Sequence, residues 1–168
     1  MTETNEGGCL CGTVRYVVIG LPLRTTFCMC KFCQKMTGTP MNRLTNFHAE
    51  NFEVLTGDLR TYEHISEGSG KAINLHSCRT CSSTVFMTLE RFPGFVGVVD
   101  GTLDDPDWIP NEPDNTKYIF ANSAQQGTIV PAGYPVFAEH ATTLDGQPCA
   151  PEIFDHHHTL CNPADTNA

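Results

Sequence analysis

The spacing of the cysteines constrains this chain more than any other feature of its sequence. Seven of the nine cysteines fall into three tight groups, which are Cys9 with Cys11, then Cys28 with Cys30 and Cys33, then Cys78 with Cys81. Thiols this close in sequence are either metal ligands or redox partners. The choice between these two roles decides most of what the rest of the chain can do.

The first and last groups are predicted to form one closed structural site of four thiolates, Cys9, Cys11, Cys78 and Cys81. A C-x-C pair followed far downstream by C-x-x-C presents sulfurs at the separation that tetrahedral zinc needs. Cys9 and Cys11 would project from one face of a strand. The alternatives for these four residues are free buried thiols or two disulfides, and a thioredoxin-like role for the last pair lacks a βαβ context.

The middle group supplies three thiolates, and no fourth cysteine lies beside it in the sequence. Three protein ligands with one open position are typical of a catalytic zinc. The competing interpretation is a second structural site, completed by His76, His48, Cys149 or Cys161. Two zinc ions per chain are expected in either case.

Length and charge exclude several classes of function. A chain of 168 residues is the size of one domain, and its net charge of -9 argues against a nucleic-acid surface. No apolar run approaches the roughly 20 residues of a membrane span, so no membrane partner is expected. The first residues lack the features of a secretory signal, which predicts a reducing, cytoplasmic location in which the thiols stay unpaired.

Hydrophobic patterning predicts an all-β or β-rich fold of short antiparallel strands. The strands are predicted at Thr13–Ile19, Arg43–Phe47, Phe52–Leu55, Leu59–His64, Lys71–His76, Val85–Leu89, Phe95–Val99, Lys117–Ala121 and Val136–Ala138. A tight turn at 56–58 is predicted to join two of these strands. A helical turn is predicted at 31–35, and no helix longer than two turns is expected. Residues 141–168 are predicted to be a polar tail of low order that Ile153 and Phe154 could anchor.

Five motifs, in this order, resemble the glutathione-dependent formaldehyde-activating enzyme family, which also includes centromere protein V. They are Gly7–Tyr16, Cys28–Gly38, Leu55–Gly57, Cys78–Cys81 and Gly101–Asp105. The resemblance implies a zinc-binding domain over residues 1–140 with the β-tent, Mss4-like fold. It also implies a structural zinc on the four outer cysteines and an active-site zinc on Cys28, Cys30 and Cys33.

Several positions depart from the family pattern. Met29 stands where relatives commonly have histidine, and Ser82 stands where they have glycine. The segments that correspond to the family's late motifs, 118–120 and 123–127, lack its histidine, its basic residue and its tryptophan. These departures indicate that this chain acts on a compound other than formaldehyde and glutathione, although glutathione stays a candidate co-substrate.

The resulting hypothesis is a zinc-dependent enzyme of carbon–sulfur lyase type that acts on a small molecule. Tyr118 is the first candidate for proton transfer and His48 the second, since both side chains can exchange a proton with a reacting group. The alternative is a non-catalytic, zinc-stabilised binding module that recruits a partner protein.

Overall fold

A computed structural model of the chain describes residues 3–160, which form two compact units. Unit 1 contains residues 3–24 and 44–110, and unit 2 contains residues 25–43 and 111–160. Over these residues the strands are β1 (Thr4–Gly8), β2 (Arg15–Ile19), β3 (Arg24–Cys28), β4 (Asn42–His48), β5 (Phe52–Thr56), β6 (Leu59–Ile65), β7 (Ala72–Cys78), β8 (Thr84–Leu89), β9 (Phe95–Val99), β10 (Thr116–Ile119), β11 (Ile129–Val130) and β12 (His158–Thr159). The α-helix of the described chain is α1 (Lys31–Thr37), and short 3-10 turns lie at Ala49–Asn51, Asp100–Thr102, Pro106–Trp108 and Ala121–Ser123.

Unit 1 contains two antiparallel arrays of strands. The first is a three-stranded sheet in the order β1-β2-β5, and the second places its strands in the order β4-β9-β8-β7-β6. Alternate residues of β2 and β9 point inward, so that Tyr16, Val18, Val96 and Val98 are buried. They join an apolar core that includes the buried Cys9 and Cys78.

Unit 2 is built on β3 and β10, which pair in parallel and place Phe27 opposite Tyr118 and Cys28 opposite Ile119. Because side chains alternate along a strand, the two residues of β10 enter different apolar clusters. Tyr118 packs with Met29, whereas Ile119 packs with Cys28 and Cys33. The thiols of the middle group are therefore part of a packed interior rather than of a surface loop.

The β-rich fold class is confirmed, and so is the absence of any helix longer than two turns over residues 3–160, where α1 has seven residues. Of the predicted strands, Phe95–Val99 has the bounds of β9, and the others up to Leu89 agree with β2 and β4–β8 within a few residues. The prediction for Lys117–Ala121 ran too long, because Phe120 adopts a left-handed φ of 62° that ends β10 at Ile119.

Three further expectations differ from the structure. Residues 136–138 form no regular strand, since Val136 makes only isolated bridges to Tyr118 and Glu152. The turn at 56–58 does not close a hairpin, because β5 pairs with β2 and β6 pairs with β7. The pairing of β3 with β10 is parallel, where only antiparallel pairs were expected.

Residues 141–160 contain more order than the low-order tail that the sequence predicted. β12 pairs with β11, and Ala141 and Leu160 are buried. Phe154 packs into the cluster around Met29, as expected of an anchor, whereas Ile153 is 59% exposed. Burial of these few apolar side chains offsets the loss of conformational entropy when the segment becomes ordered. The division of the chain at residue 140 stays a prediction.

Within residues 3–160 the structure contains no helix that is both long and apolar enough to span a membrane.

Candidate metal centres

The four outer cysteines form one cluster in unit 1, which we call the four-cysteine cluster. The Sγ atoms of Cys9, Cys11, Cys78 and Cys81 all lie within 4.8 Å of one another. The Sγ of Cys11 is 3.5 Å from that of Cys9 and 3.8 Å from that of Cys78. Sulfurs at these separations match the corners of a tetrahedral site whose metal–sulfur bonds are about 2.3 Å long.

Two turns, rather than a strand, place these thiols. The expectation that Cys9 and Cys11 share a strand face is wrong, because Gly12 donates to the Cys9 carbonyl at 3.0 Å and reverses the chain with a φ of 76°. The second turn runs through Ser82, whose N–H donates to the Cys78 carbonyl at 3.0 Å and whose φ of 62° is left-handed. Glycine adopts a left-handed φ with the least strain, so Ser82 stands at a position that suits glycine.

Main-chain and side-chain donors surround the sulfurs of this cluster. The N–H of Val14 donates to the Sγ of Cys9 at 3.2 Å, and the N–H of Thr80 donates to that of Cys78 at 3.3 Å. The pKa of Cys81 is lowered to about 5 because the hydroxyl and N–H of Ser83 both stabilise its thiolate. Donors directed at sulfur favour the deprotonated form that binds metal.

The middle group forms the three-cysteine cluster of unit 2, in which the Sγ atoms of Cys28, Cys30 and Cys33 also lie within 4.8 Å of one another. Cys28 is the last residue of β3, Cys30 is the N-cap of α1, and Cys33 lies in the first turn of that helix. The Sγ of Cys30 accepts the N–H of Cys33 at 3.4 Å, which is a cap on an otherwise unpaired helix donor. The strand end and the capped helix thus direct three thiols to one point.

Hydrogen bonds among the three thiols favour a thiolate at Cys30 over one at Cys28 or Cys33. Hydrogen bonds from Cys28 and Cys33, with further ones from nearby main-chain N–H groups, lower the pKa of Cys30 to about 3. The hydrogen bond to Cys30 is the main reason that the pKa of Cys28 is raised to about 12, and burial adds to it. The pKa of Cys33 is likewise raised by its hydrogen bonds to Cys28 and Cys30 and by burial. A metal that binds this cluster must therefore displace the protons of Cys28 and Cys33.

A side-chain amide fixes the main chain of this cluster. The Nε2 of Gln34 donates to the carbonyl of Met29 at 2.6 Å and to the carbonyl of Ser123 at 2.8 Å. Its Oε1 accepts from the Nε2 of Gln125 at 3.3 Å, and the Nζ of Lys31 reaches the same Ser123 carbonyl at 3.0 Å. Since Met29 lies between Cys28 and Cys30, Gln34 holds the loop that carries two of the three thiols. Sequence reasoning did not assign Gln34 a role, although its place directly after Cys33 was a signal.

The two candidate proton-transfer residues lie in different units. In unit 2, Tyr118 is 4% exposed, and its ring stacks on Phe27 at 4.7 Å between centroids. Burial and the neighbouring Tyr134 raise its pKa to about 12. In unit 1, His48 is exposed, and its ring lies 5.3 Å from that of Phe95. Their catalytic roles stay predictions.

The four residues that could have completed the middle site have different positions. His76 stacks on Phe86 at 4.3 Å and hydrogen-bonds Thr61 and Thr88, so that both ring nitrogens have partners within unit 1. Cys149 is half-buried in unit 2 and packs against the apolar cluster that contains Cys28 and Cys33. Cys161 lies outside the described residues, and His48 belongs to unit 1.

Short sheets and two clusters of thiols that could hold metal ions define the class, a small β-rich protein with two candidate metal sites. The chain belongs to the glutathione-dependent formaldehyde-activating enzyme family, whose model matches residues 4–123. The match confirms the resemblance seen in the sequence.

Among solved structures, the chain is similar to a crystal structure of a Rhodobacter sphaeroides protein. The two share 21% identity with a TM-score of 0.49, over 65% of this chain and 93% of that one. No curated protein matches the sequence.

Proposed function

We propose that this chain is a zinc-dependent enzyme of carbon–sulfur lyase type that acts on an adduct between a small thiol and a carbonyl compound. The observation that carries the proposal is the difference in ligand number between the two clusters. Four thiols converge in unit 1, whereas three converge in unit 2. A closed set of four is typical of a structural zinc, and a set of three leaves a position for substrate.

The chemistry of the donor atoms supports zinc as the metal at both clusters, with two ions per chain. Thiolates are soft ligands that select zinc over hard cations such as magnesium or calcium, and every donor in both clusters is a cysteine sulfur. Bound at Cys28, Cys30 and Cys33, zinc would supply Lewis acidity and lower the pKa of a thiol or water toward neutrality.

The proposed reaction makes or breaks one carbon–sulfur bond. In the forward direction the substrate sulfur attacks the carbonyl carbon, the thiol loses its proton, and the carbonyl oxygen gains one. The reverse reaction releases the thiol and the carbonyl compound. No oxidant or reductant is required, because the numbers of electrons and protons balance within the adduct.

One side chain of unit 2 supports the proposed site, and two residues are candidates for the proton transfer. Gln34 holds the loop between Cys28 and Cys30 in place through the Met29 carbonyl. The candidate proton donor to the carbonyl oxygen is Tyr118, which packs with Met29, the residue between Cys28 and Cys30. A pKa of about 12 keeps its phenol protonated at neutral pH. His48 is the second candidate for that transfer.

The substrate is proposed to differ from formaldehyde and glutathione. The two segments that correspond to the family's late motifs, 118–120 and 123–127, contain no histidine, no basic residue and no tryptophan. Without that basic residue, a carboxylate of glutathione lacks one charged hydrogen-bond donor, which should weaken its binding. A bulkier or aromatic carbonyl compound is therefore the proposed class, with glutathione kept as a candidate thiol, and a reducing, cytoplasmic setting is proposed because the thiols must stay unpaired.

Metal analysis and turnover test the proposal together. We expect about two zinc ions per chain, and formation or cleavage of a thiol–carbonyl adduct that stops in the variant Cys30→Ser while the zinc of the four-cysteine cluster remains. If no pair from a panel of small thiols and aldehydes is converted by the two-zinc protein, the enzyme proposal fails, and a binding module that recruits a partner protein takes its place.

A further inference from the structure

Seven of the eight cysteines within residues 3–160 belong to the two clusters, and Cys149 is the eighth. Cys149 is half-buried, and it packs against the apolar cluster formed by Cys28, Cys33, Ile119, Phe137 and Ala141. A further thiol thus packs against the same apolar cluster as two of the three thiols, a set that is one ligand short of a tetrahedron. No other member of that apolar cluster has a side chain suited to complete the set.

Cys149 lies at the base of a short loop whose other end is fixed at the same cluster. Its N–H donates to the carbonyl of Ala141 at 2.9 Å, and Ala141 is 7% exposed within the cluster. Between them the chain closes on itself, since Thr143 donates to the Gln147 carbonyl at 2.9 Å and Thr142 bridges Pro148. The two ends of this loop are therefore held together at the apolar cluster that contains Cys28 and Cys33.

We infer that Cys149 is the fourth, exchangeable ligand of the metal that the three-cysteine cluster holds. The inference rests on the proposed function, because it needs a metal at this cluster. The Sγ of Cys149 lies outside the group of sulfurs that are mutually within 4.8 Å, so ligation requires the 141–149 loop to move. A ligand that must move to bind is one that a competing thiol can replace.

Two histidines are compared with Cys149, His140 because it precedes the same loop and His76 because the sequence made it a candidate. The Nδ1 of His140 already accepts the N–H of Thr142 at 3.1 Å, in the turn that begins the loop. His76 belongs to unit 1 and uses both ring nitrogens there. A thiolate also matches the three ligands already present, because soft sulfur donors are preferred together at zinc.

An exchangeable Cys149 would give the site two states. Without substrate, four protein sulfurs would close the coordination shell and keep water from the reacting position. A thiol substrate of the proposed class would take the position of Cys149, which would leave as a thiol with the proton given up by the substrate. Occupancy by Cys149 would thus make the site selective for thiols over weaker oxygen ligands.

Cadmium-113 NMR of the full chain tests this inference, with both clusters loaded with cadmium and no substrate present. The chemical shift of bound cadmium reports the number of thiolate ligands at each site separately. We expect two signals in the four-thiolate range for the wild type. In Cys149→Ser, one signal should move to the three-thiolate range, while the signal of the four-cysteine cluster stays in place and shows that the fold is intact.

Cys161→Ser is the matched control, because it removes the other cysteine of the C-terminal region. It should give the wild-type spectrum. Adding a small thiol such as 2-mercaptoethanol should return the moved signal of Cys149→Ser to the four-thiolate range, which a packing role for Cys149 does not predict.

Three results would count against the inference or its basis. A wild-type signal in the three-thiolate range, unchanged by Cys149→Ser, would overturn the assignment of Cys149 and leave the proposed function standing. A shift produced by Cys161→Ser in place of Cys149→Ser would assign the ligand to Cys161 and also overturn it. A wild type that binds one cadmium per chain would remove the metal from the three-cysteine cluster, and the proposed function would fail with it.

Discussion

The side-chain amide of Gln34 donates to the main-chain carbonyl of Met29 at 2.6 Å, and so the first turn of α1 holds the loop that carries Cys28 and Cys30. The same nitrogen has a second acceptor, the Ser123 carbonyl at 2.8 Å. One –NH2 group therefore uses both of its protons on two different segments of unit 2. An interaction of this kind positions candidate ligand residues without being a ligand itself.

Gln34→Met should weaken metal binding at the three-cysteine cluster. The change keeps the length of the side chain but removes both donors, and loss of such a supporting contact typically costs about 10- to 100-fold in metal affinity. Competition with a chromophoric zinc chelator measures the effect for each site. Gln125→Met is the control, because Gln125 contacts the oxygen of Gln34 and not the thiol loop. Equal affinities for the wild type and Gln34→Met would contradict a positioning role.

Cys30→Ser and Cys78→Ser should separate the roles of the two clusters. Cys30 is half-buried at a helix cap of unit 2, so its replacement should abolish turnover and leave the fold intact. Cys78 is 2% exposed in the core of unit 1, where losing one of four ligands exposes the others to protons and competing ligands. Circular dichroism during heating and solubility are the measurements. If both variants unfold to the same extent, the assignment of the middle cysteines to an active site is wrong.

The cysteine clusters could be predicted from sequence because metal geometry restricts their spacing, and both groups converge in the structure as expected. The turn at Cys9 could not be predicted from the sequence. A β-branched segment follows the turn directly and favours a strand, whereas the reversal of the chain depends on the left-handed φ of Gly12. Sequence patterns therefore predicted which thiols converge, but not the local backbone that directs them.

Long-range pairing explains the other differences. The residues of β1, Thr4–Gly8, have no alternating apolar pattern, so the sequence gives no sign of a strand there. The strand forms by pairing with β2. The two-residue strands β11 and β12 are likewise defined by each other. Such elements depend on partners distant in sequence, which local propensity does not encode.

Gly7→Ala should destabilise unit 1, because a Cβ at this position would lie 2.3 Å from the hydroxyl of Tyr16 and 2.5 Å from the carbonyl of Thr102. The buried Tyr16 also hydrogen-bonds the Thr102 hydroxyl at 2.9 Å and has little room to move. Overpacking of this kind typically costs about 1–3 kcal/mol. Gly101→Ala is the matched control, since its Cβ would meet no atom within 4 Å. Urea denaturation should show a lower midpoint for Gly7→Ala alone.

Tyr118→Phe tests the proposed proton donor. The phenylalanine ring preserves the stack on Phe27, so the stability of the chain should change little. If the phenol donates a proton, turnover should fall by about 100-fold or more while zinc content stays at two per chain. Tyr134→Phe is the control, because its hydroxyl donates to the Asn111 carbonyl at 2.5 Å and has no proposed role in the reaction. Full turnover by Tyr118→Phe would leave this residue a packing role only.

Neighbouring residues Ile153 and Phe154 give the sharpest test of how the segment after residue 140 is held. Phe154 packs against the cluster that contains Met29, Tyr118 and Leu160, and its ring stacks on His158 at 3.8 Å. Ile153 is 59% exposed and belongs to none of the apolar clusters of residues 3–160. Phe154→Ala should therefore cost about 2–3 kcal/mol, less than the 3–5 kcal/mol typical of a fully buried phenylalanine, because Phe154 is only partly buried. Ile153→Ala should change the free energy of unfolding by less than about 0.5 kcal/mol.

Hydrogen exchange should locate the loss caused by Phe154→Ala. The N–H of Gly133, which donates to the Phe154 carbonyl at 2.9 Å, and that of Leu160, which donates to the Thr128 carbonyl at 2.8 Å, should exchange faster in Phe154→Ala and at the wild-type rate in Ile153→Ala. Because both amides lie in unit 2 and depend on the 150–160 segment staying in place, their protection reports its docking directly. Equal exchange in the two variants would mean that main-chain pairing between β11 and β12, and not the Phe154 ring, holds the segment to unit 2.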